Sequence, residues 1–258
     1  MQILFLRIYF KILRTLGLGD KLFYKIKSGR NKGFKYRIGF GNDYLFGTYE
    51  EDAIEKISEH ISPNDIIYDL GANAGYFSLA FSRKTNNKIY AFEPSRPVFN
   101  ILKTHIKENN VTNVIPMNIA ITDQKRELTF TDHASKVGNT YISESKNYNE
   151  RIDSYTIEGN SIDNVCLHEK SILPPNVIKI DVEGAEYDVL VGARATIEKY
   201  SPVLLLATHE RHVKGIRDKC LALCKEMNYE VLPLDDLKNG GGLEDFLLLP
   251  KKVAQPAR

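Results

Sequence analysis

Five residues of the stretch "IIYDLGANAGYFSLA" (66–80) have the types and spacing of a ligand-binding turn: Asp69, Gly71, Asn73, Gly75 and Tyr76. An apolar run leads into the turn, and an apolar run of helical period leaves it. Glycine lacks a Cβ, so backbone there can approach a ligand closely. The opening of a helix adds free N–H groups that suit an anionic group. The next apolar run, "NKIYAFEP", ends in Glu93. A carboxylate at that place can accept both hydroxyls of a ribose.

Two cofactor classes use this logic. A dinucleotide fingerprint needs glycines at its first, third and sixth positions, and here those positions hold Gly71, Asn73 and Tyr76. Asp69 would repel a pyrophosphate but suits an ammonium. S-adenosylmethionine carries an ammonium, a carboxylate, a ribose and a cationic sulfur. The expected contacts are ammonium to Asp69, carboxylate to the helix start and ribose to Glu93. Asn118 and Ala120, in "PMNIAIT" (116–122), are expected to border the adenine, with a plain strand end as the competing reading. Two alternatives stay open. One is a nicotinamide-dependent oxidoreductase; the other is a non-catalytic module that binds an adenosyl ligand and recognises a glycan or RNA.

A second group follows later. "VIKIDVEGAEYDVLVGA" puts Asp181 at a strand end, with Glu183 in the turn and Glu186 in the first turn of the next helix. "SPVLLLATHERH" brings His209 to a strand end as well. A hydroxyl is a poor nucleophile at neutral pH, and a positioned base can take its proton during attack. Asp181, Glu183 and His209 are the candidate catalytic residues; capping of a helix start is the competing role for the two carboxylates. The histidines of "HERH" are three apart and do not form the zinc motif His-Glu-x-x-His. The sequence names no cluster of Asp or Asn partners for Asp181, so no metal is expected. His133 is a weaker candidate. The signature Asn-Pro-Pro-Tyr for planar amino acceptors is absent, and "LPPN" (173–176) precedes a strand.

The elements that must position these groups alternate. Strands are predicted at 65–69, 87–92, 113–119, 177–181 and 203–207, and helices at 49–61, 75–84, 95–109, 185–199 and 211–227. Short apolar strands alternating with helices predict a mostly parallel sheet covered on both faces. Residues 122–175 break the rhythm with two short strands, "RELTFT" and "YTIEGN", around a polar stretch that reads as a lid or binding segment. The last segment, "YEVLPLDDLKNGGGLEDFLLLP", reads as an antiparallel closing hairpin.

Charge divides the chain. Residues 1–37 hold ten Lys/Arg and Asp20 as their one acid, whereas the rest holds 25 basic against 32 acidic residues. A basic arm on an acidic body points to an anionic surface. Helices are predicted at about 3–16 and 20–27, followed by a short strand in "GFKYRIG". The run "MQILFLRIYFKILRTLGLG" is interrupted by Arg7, Lys11 and Arg14, so it is neither a signal peptide nor a membrane span. Residues 1–18 either lie in a membrane interface or pack on the body or a second subunit. Nucleic acid is not expected, because no aromatic recognition motif accompanies the bases. Cys166, Cys220 and Cys224 have no metal-ligand spacing and suit a reducing, cytoplasmic setting, at the inner face of a membrane if the arm binds lipid. Residues 1–48 are expected to form a basic helical extension to a domain at 49–258.

"YDLGANAGYFSLA", "YAFEPSRPVFNILKTHIKENN", "NVIPMNIAIT" and above all "VIKIDVEGAEYDVLVGA" resemble the FkbM-type family of S-adenosylmethionine-dependent methyltransferases, from about Gly47 to Pro250. The resemblance implies a class I, Rossmann-like α/β fold: seven strands, mostly parallel, the last antiparallel, with helices on both faces. It also implies O-methylation of a hydroxyl on a glycan or polar metabolite. The family's usual "TLD" appears as Ser161-Ile162-Asp163. Where the family often has Glu, any residue, then His, Ala207 replaces the Glu and His209 remains.

Overall fold

The structure, a computed structural model, describes residues 2–133, 151–234 and 245–251. Helix α1 (Gln2–Thr15) is followed by a two-stranded antiparallel ribbon, β1 (Phe23–Lys25) with β2 (Lys35–Arg37). The helix expected at 20–27 is therefore strand β1. Its sequence, "KLFYKIK", alternates with period two around a buried Ile26, and pairing with β2 decides it. Helices α2 (Asn42–Phe46) and α3 (Glu51–Ser58) lead into the main sheet.

That sheet is built from β3 (Ile67–Leu70), β4 (Ile89–Phe92) and β5 (Val114–Met117), with α4 (Tyr76–Phe81) and α5 (Arg96–Glu108) as crossovers. Strands β6 (Ala120–Ile121), β7 (Arg126–His133) and β8 (Arg151–Asn160) form a separate three-stranded sheet. The polar stretch between β7 and β8, and the three-glycine turn near the end, lie outside the described residues. A π turn (Asn164–His168) precedes β9 (Val177–Ile180), α6 (Glu186–Gly192), α7 (Arg194–Tyr200), β10 (Val203–Ala207), α8 (Ile216–Glu226), β11 (Tyr229–Pro233) and β12 (Asp245–Pro250). The main sheet has the order β11-β12-β10-β9-β3-β4-β5, and β12 runs antiparallel to both its neighbours. This is the expected seven-stranded class I methyltransferase-like fold. The helix expected at 185–199 is two helices, because α7 receives its own cap from afar: Asp163 accepts from Ala195 N at 3.0 Å and Thr196 N at 2.7 Å. Helix α8 starts at Ile216 rather than at 211, where Glu210 accepts from Gly215 N and Arg217 N.

Strand order reverses between β3 and β9, and in open α/β sheets ligands bind beyond the carboxyl ends at such a point. Apolar side chains pack both faces. One cluster lies under α8 and α6; the other joins Ile67, Leu79 and Phe81 to Phe10, Ile26, Tyr36 and Leu45, so residues on both sides of position 48 share one core.

His105 fastens the basic arm to this core. Its Nδ1 donates to the Ala74 carbonyl at 2.7 Å and its Nε2 accepts from Arg37 N at 3.2 Å. Burial pushes its pKa down from 6.5 to about 4 against the Ala74 bond, which favours the charged form. A depressed folded value means that stability is complete above about pH 6.5 and falls as the unfolded chain takes up the proton. We expect the wild type to lose about 2 kcal/mol more than His105→Gln between pH 7 and pH 5. Urea unfolding of both proteins at the two pH values measures this difference.

Candidate active site

Parallel pairing sets Asp69 on β3 directly opposite Lys179 on β9. Lys179 is almost fully buried, and its ammonium lies 3.2 Å from Asp69 Oδ1, 3.3 Å from Asp181 Oδ2 and 2.8 Å from the Gly71 carbonyl. Burial lowers its pKa, but Asp181, Asp69 and Glu50 outweigh that and leave it raised, so the lysine stays charged. Asp69 is wholly buried, and its Oδ2 accepts from Ser78 at 2.5 Å. Its carboxylate thus faces inward, and the ammonium contact expected from the sequence would require Asp69 to leave Lys179.

Gly71 has φ +73°, and a Cβ there would stand 1.8 Å from the Asp181 carbonyl oxygen. Close approach of β3 to β9 is therefore enough to require glycine. Gly75, φ +88°, precedes α4, and a Cβ would meet Leu102 at 2.6 Å. Asn73 holds the turn at φ +49°, with its Oδ1 accepting from Ala74 N. Glu93 clasps the same turn: Oε2 accepts from Asn73 N at 2.9 Å and Oε1 from Ser95 N at 2.8 Å. Asn118 donates to the carbonyls of Glu93 and Pro94. These residues form one connected edge.

Two expected cofactor residues have side chains that pack away from this edge. Tyr76 is buried among Tyr36, Tyr44 and Tyr49, with its hydroxyl 3.5 Å from Glu51. Ala120 packs against Phe130 and Ile157 inside the small sheet. The side chain of His133 lies outside the described residues.

The three expected catalytic residues do meet. His209 Nε2 is 3.5 Å from Asp181 Oδ1 and 3.5 Å from Glu183 Oε2, while His209 Nδ1 is 2.6 Å from Glu186 Oε1. Glu186 is fully buried and also accepts from Gly184 N, which fixes its orientation. A carboxylate on Nδ1 orients the ring and turns Nε2 toward the crevice. Burial lowers the His209 pKa, but the Glu186 bond and the charges of Asp181 and Glu183 prevail, raising it to about 9. Burial pushes Glu183 up to about 7, against the pull of His209. Glu183 also lies 3.0 Å from His212 Nε2 and sits in the left-handed region at φ +54°. One donor atom each from Asp181, Glu183 and His209 lie within 4.8 Å of one another, a spacing that one cation could span.

Lys179, Glu50 and Glu186 were not expected as site residues. Glu50 lines the crevice with Lys179, Asp181, Ala207 and Asp245, and burial followed by Asp181 raises its pKa. The one sequence signal was the charged residue in the apolar run "VIKI"; the αL conformation of Glu50 at the start of α3, φ +46°, is visible only in the fold. Lys179→Met should leave the buried Asp69 without its counter-charge and cost about 3–5 kcal/mol. Chemical denaturation measures that loss, and pairing the variant with Asp69→Asn should recover part of it.

The methyltransferase FkbM domain family matches residues 69–232. The hexuronic acid methyltransferase AglP of Haloferax volcanii is 27% identical over 156 residues, 60% of this chain and 61% of that protein. Methyltransferase sdnD of Sordaria araneosa is 25% identical over 199 residues, 67% of this chain and 76% of that one. The chain thus spans about three fifths of the archaeal relative's length. A candidate rRNA methylase of Clostridium thermocellum shares the fold at 9% identity, with a TM-score of 0.50 over 79% of this chain and 95% of that one. A match over more than half of the chain, on the sheet order and crevice described above, places this protein in the methyltransferase FkbM domain family.

Proposed function

We propose that the protein is an S-adenosylmethionine-dependent O-methyltransferase acting on a hydroxyl of a glycan or polar metabolite. The observation that carries the reading is His209, held at Nδ1 by Glu186 with Nε2 facing Asp181 and Glu183. The donor set fits the cofactor. Glu93 sits at the carboxyl end of β4, beside the glycine turn whose Asn73 N–H it accepts, where a carboxylate is suited to ribose hydroxyls. Five acidic side chains (Glu50, Asp69, Asp181, Glu183, Glu186) gather around Lys179 and His209, and burial raises Glu50 and Glu183; a cationic ligand would favour their ionised forms. Within this reading Asp69 acts through Lys179, whose ammonium it holds beside the turn.

When bound, the cofactor supplies an electrophilic methyl group on a cationic sulfur. The chain's residues do the rest. His209 Nε2 takes the hydroxyl proton as the oxygen attacks, Glu186 stabilises the resulting imidazolium, and Asp181 and Glu183 orient the acceptor. In the empty site His209 is protonated at neutral pH, and a cationic cofactor would pull its pKa down. The archaeal relative named for a hexuronic acid supports a glycan acceptor. A hydroxyl is favoured over a carboxylate because the crevice is already acidic and contains a base, which a carboxylate would not need. Three buried, free cysteines go with a cytoplasmic setting.

Calorimetry with S-adenosylmethionine tests the root of this reading, and absence of binding overturns it. Glu93→Ala should weaken that binding by about 10- to 100-fold. His209→Asn should lower kcat about 10²–10⁴-fold with little change in cofactor affinity. For the wild type, kcat/KM for the cofactor should rise tenfold per pH unit up to about 9, and the variant should lose that slope. Activity removed by a chelator and restored by Mg²⁺ would replace the base with a cation held by Asp181, Glu183 and His209. An alkali-labile methylated product would mean that a carboxylate is the acceptor.

A further inference from the structure

Of the eleven large apolar side chains exposed among the described residues, eight lie within residues 3–22, and α1 carries most of them. Helix α1 is held by one face only. Phe10 and Leu13 are buried, Leu6 packs beside them, and Arg14 donates to the carbonyls of Ile38 and Phe40. At 100° per residue, Leu4, Phe5, Ile8, Tyr9, Ile12 and Leu16 cover the opposite arc of about 140°. Their exposures run from 47% to 71%. Arg7 and Lys11 fall between the two faces, along one border of the exposed arc.

We propose that this face lies in the interface of an anionic lipid surface, with α1 parallel to the membrane plane. Three observations choose this occupant. The helix spans about 21 Å and no described helix is long and apolar enough to cross a membrane, so it can lie on a bilayer but not traverse it. The bordering Arg7 and Lys11, with exposed Lys21 and Lys25 just beyond, belong to a segment whose one acid is Asp20, which complements anionic headgroups. A second copy meeting through the same face would set this positive segment against itself, since a two-fold contact pairs a surface with its own image. The proposal goes beyond the methyl-transfer reading and does not depend on it.

Flotation of the full chain with vesicles tests it, comparing phosphatidylcholine alone with phosphatidylcholine containing phosphatidylglycerol. The wild type is expected to float with the anionic vesicles and to be released by high salt. Ile8→Asp/Ile12→Asp, at exposed positions, should reduce the partition at least about tenfold, with the thermal unfolding midpoint unchanged. Lys11→Glu/Lys21→Glu should lose the preference for anionic vesicles. The proposal is overturned if the wild type remains unbound on anionic vesicles, or if the two-aspartate variant floats equally well. It is also overturned if light scattering shows a dimer that this variant abolishes, which would assign the face to a second copy.

Discussion

A charged lysine buried between two parallel strands is the constraint on which the site is built. Lys179 cannot be dehydrated alone, so its ammonium takes up Asp69, Asp181 and the Gly71 carbonyl together. Those three partners come from the two strands at which sheet order reverses. The lysine thereby links the glycine turn to the Asp181 turn, and their close approach is why position 71 has no room for a Cβ. From the Asp181 side the same charge network continues through His209 to the buried Glu186.

The alternation of strands and helices was legible because buried parallel strands are short apolar runs, a local property. Asp181, Glu183 and His209 were legible for a related reason: strand ends carrying polar groups converge at one edge of any such sheet. Lys179 was passed over because its meaning depends on register, and nothing local says that it faces Asp69. The partners of Asp69 were hidden for the same cause; beside the turn it reads as a ligand for a cation, and the structure sets Lys179 opposite it. The split of α6 from α7 rests on Asp163, some thirty residues away, a cap that no helix-end pattern contains. Tyr76 and Ala120 were assigned by position along a motif, and packing placed them in an aromatic cluster and in the small sheet.

The N-terminal layer does more than cover the sheet. Tyr36 stacks on Tyr44, which stacks on Tyr49, and Tyr49 is followed by the crevice residue Glu50. Phe10 of α1 meets Tyr24 and Phe46 at the outer end of this same packing. The buried side of α1 and the tyrosines that lead to Glu50 thus belong to one hydrophobic cluster.

Glu50 and Asp245 both line the crevice, yet both fall outside residues 69–232. The part of the chain that defines its family is therefore not the part that completes its cavity. A hybrid made by exchanging the shared segment between relatives would carry over the turn, Lys179 and His209 but take from its host the lining residues at positions 50, 53 and 245. Exchanging only the flanks would do the converse, altering part of the cavity's lining around an unchanged Lys179 and His209. The shape of the crevice is therefore open to change through residues outside the segment that defines the family.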